Sequence, residues 1–364
     1  MLTTIKIALL KIFISLLPKS KSTVYIVKID ALGDYVIFRD WVDEIRSVYP
    51  NKKLILVANK ALETLVTLDN DFDGYLFIDP KHRSAKQSLA LLCAFLRYRA
   101  SEMSVWMWSP EHFPVLFNLN ELSAIKKSRL AFIPSSDKDG FCRQQELKKI
   151  FSDVTILSKE VTFESNRYGE FICQSFNRSV ADLKMRGFSN ASGHTNNNSF
   201  YIVLGAGSPK RNWPVHRVAA LIDKLHSREN MDLVLLGPKS EEQAAQLLSE
   251  RFGKRIVNKV GKTDLPHFIT ELSCASIVVC NESSTPHICA RLKVPYVCVS
   301  NLNHYLRFHP YPEELKVKQD YLYPVVDVNK LSTDEIKLLQ VSSSYYTESI
   351  TADSVFERVI QYVT

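Results

Sequence analysis

A polar elbow follows a predicted buried strand and offers the clearest set of residues for binding an anion. The strand is Ile277–Cys280, and the elbow, Asn281–His287, leads directly into a predicted helix. Ligands of open parallel sheets bind outside the carboxyl ends of the strands, where helix N-termini present unpaired N–H groups. Helix capping would explain the hydroxyl groups and the proline, but it requires neither a carboxylate nor an imidazole. We therefore expect the elbow to bind a phosphate-bearing molecule through Glu282, Ser283, Ser284 and His287.

A second candidate anion site follows the predicted strand Phe200–Leu204. Gly205 and Gly207 allow backbone N–H groups to turn towards an anion, and Lys210 and Arg211 add positive charge just before a predicted helix. No acidic residue occurs between positions 182 and 223 to neutralise these cations. Each charge-assisted hydrogen bond to a phosphate contributes about 1.5–3 kcal/mol. The alternative is a glycine turn with solvated basic residues.

The first predicted strand, Thr23–Lys28, ends in a loop that carries two carboxylates, Asp30 and Asp34. An aspartate at the start of a helix is normally an N-cap, which stabilises the helix by about 1 kcal/mol. Asp34 is also placed to take a proton from an incoming hydroxyl, and general-base catalysis of this kind accelerates a reaction by about 10²–10⁴-fold. Both interpretations remain open from spacing alone, and Asp30 is the weaker candidate for the base.

Two acidic or histidine-containing segments resemble metal sites only superficially. The run 69–74 begins like a calcium-binding loop, but its twelfth position is Pro80, where a bidentate glutamate is required. His304 and His309 match no zinc signature, because no cysteine pairs with them. The sequence therefore predicts neither a metal ion nor another cofactor. The loop that contains these histidines, Asn303–Tyr311, is better suited to hold a nucleotide or a sugar.

The length and charge of the chain favour a two-domain protein with an anionic partner. Its 364 residues exceed the ~250–300 that usually form a single core. The net charge is +7, but the sequence contains no long Lys/Arg block of the kind that binds nucleic acid. An anionic substrate or an anionic membrane surface therefore explains the positive charge better. The seven cysteines are odd in number and form no C-x-x-C pair, which favours reduced thiols in a cytosol.

Predicted strands and helices alternate along almost the whole chain, which is typical of βαβ units and of an α/β fold with parallel sheets. Val105–Trp108 is one of the predicted strands. A cleft between two such domains is the natural site for a ligand. The predicted organisation is a basic, apolar helix at 1–22, a first domain at 23–186, a Gly/Ser/Asn-rich linker at 187–199, a second domain at 200–345 and a C-terminal helix at 346–364.

The N-terminal segment is apolar but contains four lysines. It is too short to span a bilayer comfortably, which takes ~20 residues, and it lacks the small-residue cleavage site of a signal peptide. Its large apolar residues recur at helical spacing. Two interpretations therefore stay open: an amphipathic helix at a membrane interface, or a helix packed on the first domain.

Taken together, the motifs resemble those of the ADP-heptose:lipopolysaccharide heptosyltransferases, which form glycosyltransferase family 9. The resemblance covers nearly the whole chain from Thr23 to about Pro312, and its specificity comes from the order of several short motifs. Those motifs are Leu32–Asp34, Arg46 with Tyr49 and Pro50, Gly205–Pro214, Leu235–Pro238, Val260–Thr263, the Asn281–His287 elbow, and Arg307 with Pro310 and Tyr311.

The resemblance implies the GT-B fold, with two Rossmann-like domains facing a central cleft. It implies an inverting, metal-independent transfer of heptose from ADP-heptose to the lipopolysaccharide core oligosaccharide on lipid A. The enzyme would work in the cytoplasm of a Gram-negative bacterium, with peripheral contact to the inner membrane. By the same resemblance Asp34 would be the catalytic base for the acceptor. The donor would be bound by Gly205, Lys210, Arg211, Glu282, Ser283, Ser284, His287 and Arg307.

The sequence departs from the family at two places. The family elbow usually reads Asp-Thr-Gly before its histidine, whereas this chain has Glu282-Ser283-Ser284, and Leu204 stands where a histidine is common. These changes leave open another donor, such as one carrying N-acetylglucosamine. They also leave open a non-catalytic relative that binds a nucleotide sugar or a glycan. A GT-B-type sugar-nucleotide epimerase is a third alternative.

Overall fold

The computed structural model describes residues 12, 16–80, 92–93, 95–108, 116, 125–134, 137–188, 199–226 and 232–362. The chain divides into two compact units. The first comprises residues 1–160 and 165–184, and the second comprises residues 161–164 and 185–364. Most of the predicted N-terminal helix and most of the predicted linker lie outside the described residues. None of the described helices is both long and apolar enough to cross a bilayer.

The first unit is built on a six-stranded parallel sheet in the order β3-β2-β1-β4-β5-β6. The chain enters at β1, which pairs with β2 on one side and with β4 on the other, so Tyr25 lies between Ile55 and Met103. The strands are β1 (Ser20–Lys28), β2 (Lys53–Asn59), β3 (Gly74–Ile78), β4 (Ala100–Val105), β5 (Lys127–Phe132) and β6 (Asp153–Ile156). Its helices include α1 (Leu32–Phe38), α2 (Val42–Val48), α3 (Glu63–Asp69), α4 (Asp137–Leu147) and α5 (Glu164–Phe176).

The second unit repeats this topology, with the strand order β12-β11-β10-β7-β8-β9 and parallel pairing throughout. The strands are β7 (Ser199–Val203), β8 (Asp232–Leu236), β9 (Ile256–Asn258), β10 (Ile277–Asn281), β11 (Tyr296–Val299) and β12 (Gln319–Leu322). Its helices include α6 (Val215–His226), α7 (Glu242–Phe252), α8 (Leu265–Ser273), α9 (Thr285–Leu292), α10 (Thr333–Leu339) and α11 (Ala352–Val359).

Each sheet has the doubly wound order in which the chain first builds strands outward on one side and then returns to build on the other. The reversal lies between β1 and β4 in the first unit and between β7 and β10 in the second. At such a point the loops after the two central strands diverge and leave a crevice at the carboxyl edge of the sheet. The α/β fold with two parallel sheets confirms the predicted fold class, whereas the facing of both units onto one cleft stays a prediction.

The predicted strand Val105–Trp108 is wrong in its bounds, because β4 covers Ala100–Val105 and the two tryptophans Trp106 and Trp108 follow it. The polar sequence of β4, Ala-Ser-Glu-Met-Ser-Val, hides it from a search for apolar runs. Glu102 is nevertheless buried in this central strand. It is tolerated there because several cations surround it, and a buried charge must be paired to be stable.

The core of each unit lies against its sheet, where the central strands are fully buried. In the second unit the C-terminal helix α11 completes this core. Its Val355 and Val359 are inaccessible to solvent and belong to the same apolar cluster as Val279 of β10. The Trp213 indole N–H donates a 2.9 Å hydrogen bond to the Ile350 carbonyl and fixes the approach of α11. This packing supports β10, the strand that leads into the candidate site.

Candidate functional site

The first loop of the site leaves the central strand β7 through Gly205. The backbone of Gly205 has a φ of +82°, in the region that favours glycine. A Cβ atom at this position would also lie 2.7 Å from Cγ of Glu241. Both facts favour glycine, and the resulting tight turn directs the chain into the basic segment that follows.

The next glycine makes room for the cation of the site. A Cβ atom on Gly207 would lie 2.7 Å from a guanidinium nitrogen of Arg211, so Arg211 folds back over the loop. A short 3₁₀ turn, Pro209–Arg211, carries both basic residues. Lys210 is exposed, whereas Arg211 is half-buried. The pair therefore places one solvated and one partly sheltered positive charge after β7.

Asn281, the last residue of β10, joins the two loops at the reversal point. Its side-chain Oδ1 accepts a 2.8 Å hydrogen bond from the Trp213 N–H, and its Nδ2 donates a 3.3 Å hydrogen bond to the Gly205 carbonyl. The residue is buried, and both bonds tie β10 to the glycine-rich loop. This role was not predicted from the sequence, where the only signal was a polar side chain at the end of an apolar strand.

Glu282, the first residue after β10, is a buried carboxylate whose two oxygens have different neighbours. Its Oε2 accepts a 2.8 Å hydrogen bond from the Ser300 hydroxyl and lies 3.4 Å from His309 Nε2. Its Oε1 lies 3.7 Å from Arg211 and 3.7 Å from His304 Nδ1. One oxygen is thus anchored inside the unit, while the other faces two partly exposed basic groups without a direct hydrogen bond.

Electrostatics keep this carboxylate ionised. Burial alone would raise the pKa of Glu282, but His309 and His304 outweigh it and hold the pKa of that carboxyl well below its usual range. A buried anion flanked by histidines and Arg211 is a preorganised electrostatic element, because its charge fixes the orientation of its neighbours. The sequence excluded His304 and His309 as metal ligands but did not predict their contact with Glu282. Twenty-one or more intervening residues hide such contacts in a sequence.

The two serines of the elbow precede helix α9 and remain partly exposed. Ser283 Oγ accepts a 3.2 Å hydrogen bond from the Thr285 N–H, which turns the chain into the helix. Ser284 occupies the N-cap position but makes no side-chain capping bond. Capping therefore does not account for the Ser284 hydroxyl. Both hydroxyls lie where the first N–H groups of α9 are available to an anion.

His287 is buried within the first turn of α9 and contacts Tyr311 rather than solvent. Its Nδ1 lies 2.7 Å from the Tyr311 hydroxyl, which also accepts a hydrogen bond from Arg291. Burial and the neighbouring Arg291 and His309 lower the pKa of His287 to about 3. The imidazole is therefore neutral at physiological pH and braces α9 against the 303–311 loop.

Arg307 forms an ion pair with Glu164. Its Nε donates a 2.8 Å hydrogen bond to one carboxylate oxygen, and a terminal nitrogen lies 3.4 Å from the other. The Glu164 N–H also donates to the Arg307 carbonyl. This two-point pairing with a buried carboxylate explains why the guanidinium is not placed beside Glu282 as Arg211 is. Its predicted contact with a donor stays a prediction.

In the first unit the equivalent loop, after β1, carries Asp34. Helix α1 begins at Leu32 with Ala31 at the N-cap, so the interpretation of Asp34 as the N-cap is wrong. Asp34 is instead the third residue of the helix, half-buried, and favoured there by the helix dipole. Among the described residues it forms no hydrogen bond or ion pair, which leaves the carboxylate available as a proton acceptor.

Asp30 differs from Asp34 because a buried lysine binds it. Lys28 Nζ lies 2.6 Å from the Asp30 carboxylate and donates a 2.7 Å hydrogen bond to the Tyr168 hydroxyl. The same ammonium lies over the rings of Phe38 and Tyr168. Asp30 therefore stabilises the loop through this ion pair, which agrees with the prediction that it is the weaker candidate for the base.

Within the described residues, no group of three or more histidine, cysteine, aspartate and glutamate side chains is arranged to hold a metal ion. The side chains gathered at the second reversal point are instead Arg211, the Glu282 carboxylate and two histidines. The arrangement can bind an anion at its exposed rim.

A family model matches residues 170–332, a stretch that covers both loops of the second reversal point; its description is glycosyltransferase family 9 (heptosyltransferase). This match supports a heptosyltransferase-like protein of glycosyltransferase family 9. This match confirms the predicted family and the predicted enzyme class, a glycosyltransferase. No curated protein sequence gives a significant match to the chain.

Several solved structures of glycosyltransferases have the same fold as this chain. The structure of the family 9 glycosyl transferase from Veillonella parvula DSM 2008 has a TM-score of 0.72 at 13% identity and covers 95% of this chain and 98% of that chain. E. coli ADP-heptose lps heptosyltransferase II has a TM-score of 0.68 at 15% identity, covering 94% and 98%. E. coli heptosyltransferase WaaC with ADP has a TM-score of 0.63 at 15% identity, covering 93% and 97%. At these identities the similarity establishes the fold.

Proposed function

We propose that the protein transfers a heptose from ADP-heptose to a hydroxyl of the lipopolysaccharide core oligosaccharide. The family match and the two E. coli heptosyltransferases of similar fold support this choice of donor and pathway. The observation that carries the proposal is the approach of Arg211 to Glu282, 3.7 Å apart, which brings the basic loop and the elbow together at one reversal point. That crevice has the charge and the helix N-terminus that a nucleotide diphosphate requires.

The donor half of the reaction belongs to the second unit. Lys210 and Arg211 would bind the diphosphate, and the N–H groups at the start of α9 would add further donors. As the bond between the sugar and the diphosphate breaks, the leaving group takes the bonding electron pair and gains negative charge. Fixed cations and N–H dipoles stabilise that charge without reorganisation. We therefore expect transfer to proceed without an added divalent metal.

The acceptor half uses Asp34 of the first unit. Its carboxylate would take the proton of the acceptor hydroxyl while the hydroxyl oxygen attacks the anomeric carbon from the side opposite the leaving group. The new glycosidic bond then has inverted configuration. General-base assistance of this kind contributes about 10²–10⁴-fold to the rate. The acceptor is the lipid A-core, so we expect the enzyme to act at the cytoplasmic face of the inner membrane.

The altered elbow leaves open a second donor, one carrying N-acetylglucosamine. Glu282, which replaces the usual aspartate of the family, is anchored by Ser300 and His309 rather than projecting into open space. Ser284 also adds a hydroxymethyl group where the family has glycine. Both changes reshape the surface that meets the donor sugar, so sugar selectivity is the part of the proposal to be tested first.

The test supplies purified protein with ADP-heptose or with UDP-N-acetylglucosamine, and with lipopolysaccharide from cells that lack this chain as acceptor. Mass spectrometry of the core glycan then reads the mass added. We expect a heptose increment, formed also in the presence of a metal chelator, and its loss in Asp34→Asn. A hexosamine increment would replace the donor. Equal transfer by wild type and Asp34→Asn would overturn the assignment of the base.

A further inference from the structure

The loop that follows β11 holds three bulky residues in a backbone conformation that such residues rarely adopt. Leu302, His304 and Leu306 have φ values of +67°, +60° and +58°, in the left-handed region that favours glycine. We call residues 302–306 the left-handed loop. Conformations of this kind cost free energy and persist where the surrounding structure fixes them, often at a ligand site. Three of them within five positions mark the loop as a candidate part of such a site.

Hydrogen bonds to the rest of the second unit fix the left-handed loop. The His304 N–H donates a 2.7 Å hydrogen bond to the carbonyl of Leu339, at the end of α10. The Leu302 N–H donates a 3.0 Å hydrogen bond to Ser300 Oγ, the same hydroxyl that binds Glu282. Leu302 and Leu339 also belong to one buried apolar cluster. The loop is therefore tied to the buried carboxylate through Ser300.

The imidazole of His304 is the side chain that this loop places beside the carboxylate. Its Nδ1 lies 3.7 Å from Glu282 Oε1 and 2.7 Å from Nδ2 of the Asn303 amide. Asn303 Oδ1 accepts a 3.2 Å hydrogen bond from the Ser343 N–H, which orients that amide. The ring also packs edge-to-face against Phe308, with centroids 5.3 Å apart. These contacts hold the ring next to Glu282, with 28% of the side chain exposed.

Glu282 Oε1 is a hydrogen-bond acceptor that no donor among the described residues satisfies. Arg211 and His304 each lie 3.7 Å from it, which is beyond hydrogen-bonding distance. Only 7% of the Glu282 side chain is exposed. A buried, ionised oxygen is costly without a hydrogen bond. A ligand that donates a hydrogen bond to Oε1 therefore gains affinity at this position.

A single hydroxyl group fits between these side chains. Two groups 3.7 Å apart can both lie about 2.8 Å from one bridging oxygen atom. The hydroxyl would donate its proton to the carboxylate and accept a hydrogen bond from Arg211. An amide N–H could donate to the carboxylate, but its nitrogen has no free lone pair for the guanidinium. An acetamido group would also bring a carbonyl and a methyl group against the ring of His304.

We propose that His304 is a specificity-determining residue, which with Arg211 and Glu282 selects a donor sugar with a free hydroxyl on its second carbon. The ring of His304 excludes an acetamido group at that carbon. The inference rests on the proposed function, because it takes Arg211 to bind the diphosphate. The diphosphate is attached to the anomeric carbon, so the sugar hydroxyl nearest to Arg211 is the one on the adjacent carbon. Heptose has a free hydroxyl there, whereas N-acetylglucosamine has the acetamido group.

Calorimetric titration of the full chain without acceptor tests this inference independently of sugar transfer. The ligands are ADP, ADP-mannose and ADP-N-acetylmannosamine. The ring hydroxyls of ADP-mannose have the heptose configuration, and the third ligand differs from it only at the second carbon. We expect the wild type to prefer ADP-mannose to the acetamido ligand by at least about 100-fold, as a site that hydrogen-bonds a hydroxyl does.

Two replacements of His304 separate the space that its ring fills from the backbone that carries it. His304→Asn removes the ring but suits a left-handed backbone, so the preference should fall at least about ten-fold while the affinity for ADP stays unchanged. His304→Phe keeps an aromatic ring and should keep most of the preference. The matched control Lys316→Asn changes another left-handed residue, exposed and placed before the amino end of β12, and should behave as the wild type does.

The outcomes separate this inference from the proposed function. If the wild type does not bind ADP, the assignment of the donor site is wrong and both proposals fail. If the wild type binds ADP but binds the two sugar nucleotides equally, only the present inference fails. It also fails if His304→Asn keeps the full preference, and a loss of preference in both His304 variants would overturn exclusion by the ring.

Discussion

The two units share one strand order but place opposite charges at equivalent loops. After the first strand of its sheet, the first unit presents the carboxylate Asp34, whereas the second presents Lys210 and Arg211. After the fourth strand, the first unit continues into Trp106 and Trp108, whereas the second continues into Glu282. A repeated topology thus supplies two equivalent crevices, and the loop residues decide what each crevice does.

The buried charges of the two crevices also differ in how tightly they are held. Lys28 and Asp30 of the first unit form a 2.6 Å ion pair that Tyr168 completes. In the second unit, Arg211 and His304 approach Glu282 no closer than 3.7 Å. The first arrangement supports a loop, while the second leaves Arg211 and His304 room to shift towards an arriving anion.

The largest expected effect comes from removing the carboxylate of the first crevice. Asp34→Asn keeps the shape of the side chain but cannot accept the acceptor's proton, so kcat should fall about 10²–10⁴-fold. Binding of ADP, measured by calorimetry, should not change, because the donor is assigned to the second unit. A large loss of ADP affinity in this variant would contradict the division of roles between the crevices.

The neighbouring carboxylate should behave in the opposite way. Asp30→Asn leaves the buried Lys28 ammonium without its charged partner, and breaking a buried ion pair costs about 3–5 kcal/mol of stability. Urea unfolding measures this loss. The control Lys28→Met with Asp30→Leu, which removes both charges, should recover much of the stability. Equal stability of Asp30→Asn and the wild type would show that the pair does not support the loop.

The sequence predicted the parallel sheets and both strand-end loops because those features are local. Strands such as β7 and β10 are continuous apolar runs, and the polar elbow stands directly after one of them. The bounds of β4 could not be predicted, because its Glu102 is stable only beside cations from β2 and β5. The same holds for His309, which meets Glu282 only after β10 and β11 have paired. A buried charge that is paired by residues distant in the sequence leaves no local pattern in that sequence.

A smaller effect is expected from the cation of the second crevice. Arg211→Ala removes a charge-assisted contact to the diphosphate, which corresponds to about 1.5–3 kcal/mol, or roughly 10–150-fold in ADP affinity. Arg211→Lys should recover part of this affinity, because the charge remains but the planar fork is lost. Calorimetric titration with ADP separates the two variants. Unchanged affinity in Arg211→Ala would remove this residue from the donor site.

The smallest effect concerns the neutral histidine beneath the second crevice. Its pKa in the folded protein, about 3, lies below the ordinary value of about 6.5. The folded state therefore binds fewer protons than the unfolded state between these two values, and stability falls as the pH drops below about 6.5. The expected slope reaches about 1.4 kcal/mol per pH unit for this group. Replacement by a residue that does not titrate, His287→Gln, should remove this part of the slope.

Urea unfolding of the wild type and His287→Gln at pH 7, 6 and 5 measures the difference. The depressed pKa of Glu282 contributes stability that is lost only at more acidic pH, below the ordinary carboxyl value of about 4.3. Work above pH 5 therefore excludes the contribution of Glu282. Burial also lowers the pKa of His226, and its contribution cancels when the wild type and His287→Gln are compared. His216→Gln, an exposed histidine of the same unit, serves as the control and should keep the wild-type slope. If His287→Gln and the wild type lost stability equally on acidification, the folded protein would not hold His287 neutral. The imidazole would then titrate in the folded protein and add a charge to the second crevice.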